Sequence, residues 1–448
     1  MNRTATVIGG GPAGLMAAEV LAAAGLAVTV YEHMPSVGRK LLLAGRSGLN
    51  VTHNEPIDDL LARYGHGADH LAAAVGAFGP PELRSWCAAL GEPTFVGSTG
   101  RVFPASLRAA PLLRAWLTRL ATAGVSIEVR HRWLGWATTP DGAVDATRSL
   151  FGRADGSSVE LTGDVKVMAL GGASWPRVGS DGGWVAEFRR AGIEVSELRA
   201  ANCGIQVDWT GLFAARFAGV PLKNVAVVVA GHSVRGDAMI TASGIEGGPI
   251  YVQAAAIRDA IDLDGRCTVT VDLQPDVNVE AVRDRLERRR PKDSLATSLR
   301  RAIGLTPVAV SLMREATGNR MPGDATELAE LVKAVPMVIE AIMPIERAIS
   351  TAGGIAFAEL DESFMLRRLP GTFVAGEMID WEAPTGGYLL QASFSTAVAA
   401  AQGALAWLAG RSQRPDERHA HLSMPPTEAV CSESERRDDT PHALVTRQ

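Results

Sequence analysis

The chain of 448 residues and 47.2 kDa is too long for one ordinary hydrophobic core and fits two or three domains. Hydrophobic content of 47% and charged content of 21% are ordinary for a folded protein, and a net charge of −5 excludes global attraction to nucleic acid or anionic membrane, so either partner would need a local patch. No apolar run reads as reaching the roughly 18 residues of a membrane span, no signal peptide is expected because strand-like sequence begins within a few residues of Met1, and Cys87, Cys203, Cys267 and Cys431 form no CxxC, which favours reduced thiols in a cytoplasmic protein over a disulfide framework or zinc ribbon.

The first apolar run, Ala5 to Ile8, leads into Gly9-x-Gly11-x-x-Gly14 and then an Ala-rich segment of helical length, Leu15 to Ala24. At such a strand-to-helix turn Gly9 allows a tight bend, Gly11 removes the side chain that would block phosphates, and Gly14 lets helix and strand approach closely. The helix start offers free N–H groups to an anion, from Ala13 onward, while Pro12 at the first helical position has no N–H to lose. Leu26 to Tyr31 reads as a second strand, and Glu32 ends it 21 positions after Gly11, where a carboxylate can accept both hydrogen bonds of a ribose. The pattern predicts a dinucleotide site.

Residues 38–53 read as a glycine-rich polar loop, in which Arg39, Lys40, Gly45 and Asn50 are placed to meet the ligand. Residues 56–91 read as short helices; His66 and His70 lie four apart, but two such side chains make no metal site. Gly100 to Pro104 is a turn and strand, and Leu107 to Ala123 a helix with Leu112, Leu113, Trp116, Leu117 and Leu120 on one face. Strand-like runs at 125–129, 133–137, 144–150 and 159–161 suggest a meander. Val165 to Leu170 reads as a buried strand ending in Gly171-Gly172, which again lets backbone lie against a ligand.

From about Val195 the pattern changes. Strand-like segments at 204–207, 225–230, 238–241 and 268–272 are joined by turns, among them Gly244 to Pro249, and charged helical sequence runs from Val279 to about Val335. The expected division is therefore α/β: a discontinuous Rossmann-like dinucleotide domain (1–194 and 345–410), an inserted β-rich domain (195–275 with part of 336–360), an inserted helical subdomain (276–335), and a disordered polar tail (411–448). The nucleotide fold resumes where an apolar strand ends in Gly376-Glu377, followed by Asp380 and by Gly386-Gly387-Tyr388 at the head of an apolar helix, which can aim a second helix N-terminus at the ligand.

The segments VIGGGPAGLMAAEVLAAAG, GRKLLLAGRSGLNVTH, GRVFP, ALGGASWPRVGSDGG, ISTAGGIAF and AGEMIDWEAPTGGYLLQASFSTA resemble those of the three-domain bacterial FAD flavoproteins of the YhiN, aminoacetone-oxidase-like type, over nearly everything from Thr4 to Leu408. The resemblance implies bound FAD, a discontinuous FAD domain and inserted domains closing over the flavin. In FAD enzymes a carboxylate such as Glu377 binds the ribityl chain, and the following helix dipole stabilises negative charge on the reduced ring. Many family members have arginine and cysteine where this chain has Gly48 and Leu49, so chemistry that needs the thiol is lost, while Arg46 stands nearby as a shifted cation. The pair Trp381-Glu382 marks a distinct branch.

The expected function is an FAD-dependent oxidoreductase with a small-molecule substrate, in which the flavin supplies the redox chemistry. No second GxGxxG occurs, so either a substrate such as a small amine reduces FAD, or NAD(P)H visits the flavin without a dedicated fold. The alternative is a flavin-dependent reductase of uridine in RNA, for which Arg283, Arg285, Arg288, Arg289, Arg290, Lys292, Arg300 and Arg301 form a candidate basic face, although Asp284, Glu287 and Asp293 are interleaved. Lys40, Arg101 and Tyr388 have equally good roles in binding or packing, and none is singled out as catalytic.

Overall fold

The computed structural model describes residues 3–45, 48–290 and 292–412. Residues up to Leu408 form one compact unit, and Ala409 to Ser412 continue the last helix; the tail expected to be disordered lies, from residue 413 onward, outside the described residues. Five parallel strands form the central sheet, in the order Thr372–Val374, Val165–Met168, Thr4–Ile8, Ala27–Glu32, Ser126–Val129. The middle strands are largely buried on both faces, by the helix Pro12–Ala23 on one and by antiparallel strands on the other, where Tyr31 meets Phe151 and Lys166 meets the Ala146 carbonyl, and Val7 sits between Val167 and Val30 in register. The helix Pro12–Ala23 buries Leu15, Met16, Ala17, Ala18 and Leu21 against this sheet, and the meander His131–Thr138, Val144–Arg153, Ser158–Thr162 follows as an antiparallel sheet.

Four expectations are corrected. The run at 125–129, read as part of the meander, is the edge strand of the central sheet, Ser126–Val129, parallel to Ala27–Glu32. The segment read as a loop from residue 38 contains a short helix, Arg39–Ala44, that starts from Gly38 in the left-handed region at φ +69°. Gly244–Gly247, read as turn, is a strand paired on both sides, because a Cβ at Gly244 would fall on the Ile205 carbonyl and only glycine permits that approach. The last helix, Tyr388–Ser412, contains a stretch, Tyr388–Arg411, that is long and apolar enough to cross a membrane, with mean hydropathy 1.2. However, 56% of its most apolar part is buried in the fold, as in the core helix of a globular protein.

The inserted region has its own core. Its six-stranded antiparallel sheet runs Ile205–Gln206, Gly244–Gly247, His232–Thr241, Pro221–Val229, Cys267–Asp272, Val335–Ile339. The helices Val279–Glu287, Leu295–Ile303, Pro307–Ala316 and Ala325–Lys333 each start at a side chain that accepts a backbone N–H, from Asn278, Ser294, Thr306 and Asp324 respectively. The helical run ends before Val335, which begins a strand. One apolar cluster contains Ile205, Val227, Val269, Leu299, Leu312 and Ile339; the central sheet has another, and a small third cluster of Ala200, Cys203, Ala254, Met343 and Ala348 lies between. The chain crosses between the two large clusters through an antiparallel two-stranded ribbon, Arg199–Ala201 with Ser350–Ala352.

Lys166 is a buried cation in a central strand, 2% exposed, whose Nζ donates to the Ala146 carbonyl at 2.6 Å. Burial pushes its pKa down to about 8 from 10.5, with Asp145 opposing. Since the folded value lies below the unfolded one, the neutral amine suits the fold: stability rises between pH 8 and 10.5 and is lowest below that window. Lys166→Met is therefore expected to raise stability at pH 7 by about 1–2 kcal/mol and to flatten the rise toward pH 10.5, measured by urea midpoints across pH.

Candidate functional site: the glycine cradle and its cleft

The cradle follows from the geometry of each glycine. A Cβ on Gly9, at φ +109°, would fall on the Ala169 carbonyl, and one on Gly14 would fall on the Gly9 carbonyl oxygen. Gly11 differs: its backbone is extended at φ −81°, and a Cβ there meets nothing within 4 Å because it points into open cleft. The helix Pro12–Ala23 has no side-chain cap, so its first N–H groups remain available to an anion.

Glu32 is 9% exposed, and both of its oxygens are already in use: Oε2 accepts the Gly10 N–H at 2.9 Å and Oε1 the Met34 N–H at 2.8 Å. A carboxylate has further lone pairs, so Glu32 both shapes the turn and can still accept from a ligand. Gly9, Gly11, Pro12, Ala13, Glu32, Arg39, Lys40, Gly171 and Glu377 all line one cleft. Three buried polar atoms of this lining have no protein partner: His33 Nε2, Arg39 Nε and Ser180 Oγ. Together with the space left at Gly11, these atoms fit a polar, phosphate-bearing ligand such as FAD. Burial pushes the His33 imidazole below its ordinary pKa, against the opposing pull of the Glu32 carboxylate. Burial would raise Asp181, but the Gly183 N–H and Arg132 outweigh it and hold the carboxyl down.

Lys40 and Glu377 meet at the cleft. Lys40 Nζ donates to Glu377 Oε2 and to Ser174 Oγ, each at 2.7 Å, while Glu377 also accepts N–H groups from Gly172 at 3.3 Å and Thr351 at 3.0 Å. The other expected residues lie outside the lining of this cleft. Gly45 packs against Ala109 and Gly376 against Ala13, where Cβ atoms would clash. Asn50 donates to the Thr52 and Val102 carbonyls, and its Oδ1 is buried without a partner. Gly387 lies against the Thr52 backbone, and Gly386 against the ring of Tyr388. Tyr388 stacks on His53 with centroids 5.3 Å apart, and burial together with Glu55 pushes its phenol far up. Asp380 accepts from Ser196 Oγ at 2.6 Å. Arg101 stands opposite His53 in a small sheet, His70 stacks on Phe357 and His66 faces the Asp380 carbonyl. Gly48 adopts φ +113°, a conformation that disfavours the arginine that the family resemblance would place there, and Leu49 is 1% exposed in the core; Arg46 lies outside the described residues. Ser174, Thr351, His33 and Ser180 were not anticipated. The run Ala173 to Ser180 did stand out as a family segment, but no spacing rule ties it to the cradle.

A parallel sheet with a glycine cradle, a carboxylate one strand away and a second strand–glycine–carboxylate junction facing the same cleft define an FAD-dependent oxidoreductase. The HI0933-like protein Rossmann domain matches residues 3–403, and the chain belongs to that family. Among its relatives, the 3-dehydro-bile acid delta(4,6)-reductase of Clostridium scindens is 28% identical over 423 residues, covering 90% of this chain and 99% of that protein. The ribosomal RNA dihydrouridine synthase of Haemophilus influenzae is 24% identical over 404 residues, covering 88% and 96%. The 3-ketosteroid delta1-dehydrogenase of Sterolibacterium denitrificans, solved with 1,4-androstadiene-3,17-dione, shares the fold with a TM-score of 0.51 at 14% identity, covering 90% of this chain and 100% of that one.

Proposed function

We propose that this enzyme reduces a carbon–carbon double bond conjugated to a carbonyl group in a small molecule, with NAD(P)H as electron donor. The observation that carries the proposal is the end-to-end match to the bile-acid reductase, 90% of this chain on 99% of that one. The Haemophilus relative's product, dihydrouridine, is also what reduction of a carbonyl-conjugated double bond yields, so the two relatives share a bond type although their substrates differ in size. The bound flavin supplies the electron pair. Around it, the Gly9 to Gly14 cradle and helix start would hold the pyrophosphate and Glu32 the ribose, with Arg39 and Gly171 on the same cleft wall. Lys40, clamped between Glu377 and Ser174, keeps a positive charge fixed at the cleft wall.

The RNA reading has less support, because several arginines of the helical insertion are engaged within the protein: Arg283 with Asp284 and Glu287, Arg301 with Asp293, and Arg289 with the Gly323 carbonyl. The test is anaerobic stopped-flow. NADH or NADPH should bleach the flavin, and 4-androstene-3,17-dione or 2-cyclohexen-1-one should restore its colour faster than a uridine-rich RNA does. Reoxidation by the RNA but by neither enone would reverse the ranking, and bleaching by small amines with peroxide released in oxygen would replace the reductase by an oxidase.

A further inference from the structure

Trp381-Glu382 stood apart in the sequence, and the fold assigns Glu382 a partner across the molecule. Arg258, on the inserted helix Ala254–Asp264, donates through both terminal nitrogens to Glu382, at 3.0 and 2.6 Å. Its side chain is 7% exposed, and it also reaches the Ala200 carbonyl at 3.4 Å. Burial alone would lower the Arg258 pKa, but the Glu382 carboxylate outweighs it and secures the charge. The same inserted helix is tied to the crossing ribbon by Arg199 and Asp262, at 2.6 Å.

The end of the ribbon also holds the loop that carries Glu382. Asn202, left-handed at φ +51° and 4% exposed, donates from Nδ2 to the Ala383 carbonyl and to Ser350 Oγ, both at 2.7 Å. That loop runs directly into Gly386-Gly387 and the start of the last helix. A bidentate pair with its arginine buried and its carboxylate part-buried contributes little net stability, since desolvation offsets attraction, but it favours one relative orientation of its two elements.

We propose that Arg258 and Glu382 are positioning residues: they latch the inserted unit to the loop that sets the start of the last helix, with the paired strands Arg199–Ala201 and Ser350–Ala352 as the pivot. Without the latch the loop keeps its Asn202 contact to the ribbon but loses its direct tie to the inserted helix Ala254–Asp264, which then turns more freely about the ribbon. The geometry concerns residues 199–202, 258 and 350–383 and does not depend on the substrate proposed above.

The test uses the full chain. Arg258→Met with Glu382→Leu removes both charges without leaving one buried alone, and is expected to fold as judged by circular dichroism. In the flavin-free protein, trypsin should then cut after Arg199 and Arg347, mapped by mass spectrometry, about tenfold faster than in the parent. In the flavin-loaded protein, the ratio of oxidised to reduced flavin at a fixed dye potential should shift about threefold, because the helix start no longer holds one orientation. Arg258 also reaches Asp259 Oδ1 at 3.2 Å, so the exchanged pair, Arg258→Glu with Glu382→Arg, is made with Asp259→Asn and should restore both readouts toward the parent. Arg258→Lys, which keeps charge but not the fork, should fall between. A folded double variant as resistant as the parent, or an exchanged pair as cleavable as the double variant, overturns the latch. If the apolar double variant does not fold, the lysine variant decides: cleavage at the parent rate overturns the latch, and faster cleavage supports it.

Discussion

Gly11→Val is expected to give a folded protein that carries no flavin. The Gly11 backbone is extended, at φ −81° and ψ −177°, a conformation any residue adopts, and a Cβ there meets no protein atom within 4 Å. The fold should tolerate the side chain, with a melting temperature of the flavin-free protein close to the parent's. The branched methyls would instead fill the space between the helix start and the phosphates, and FAD affinity should fall on the order of 100-fold or more. Gly14→Ala gives the contrast. Its Cβ would fall on the Gly9 carbonyl oxygen, so a single methyl forces strand and helix apart and should cost the soluble protein itself. Flavin recovered per protein, with thermal melts of the flavin-free forms, separates the two outcomes; a yellow Gly11→Val protein would mean that the phosphates lie elsewhere.

Glu377→Ala is expected to destabilise the protein by about 3 kcal/mol and to weaken FAD binding in the same variant. Its carboxylate gathers Lys40 from the helix Arg39–Ala44, the Gly172 N–H from the turn after the second central strand, and the Thr351 N–H from the crossing ribbon. Removing it leaves an ammonium and two N–H groups facing each other at the cleft wall. Lys40→Met on top of Glu377→Ala should recover about 1 kcal/mol, because the uncompensated charge is then gone. The four urea midpoints of this cycle, with flavin titrations of each protein, give the coupling directly. Additive effects of the two substitutions would show that Lys40 and Glu377 act separately.

The parts of the fold that were legible in the sequence are those written in consecutive residues. The cradle, Glu32 and four of the central strands combine a run of apolar residues with glycine or a carboxylate close by, and the physics that selects them is local; the half-exposed edge strand Ser126–Val129 has no such mark and reads like the meander that follows it. The helix Arg39–Ala44 was hidden because six residues give too little periodicity and its left-handed Gly38 reads like any turn glycine. Gly244 was misread because its constraint, the Ile205 carbonyl, comes from a different strand. The same reason explains the site. Lys40 and Glu377 were each legible as candidates, but their bond to each other spans 337 positions, and Arg258 finds Glu382 across 124. Only the folded chain brings those charges together.

The arrangement of the central sheet has a consequence for synthesis. Val165–Met168 pairs on one side with Thr4–Ile8, made long before it, and on the other with Thr372–Val374, roughly 200 residues later. At about 5–20 residues per second the ribosome needs on the order of 10–40 s to supply that partner. During this interval a strand destined for full burial presents an open hydrogen-bonding edge, while the inserted region, with its own core, emerges and can fold first. The nascent chain is thus most open to mispairing with its neighbours while the insertion is being made, and the closing strand and last helix end that exposure together.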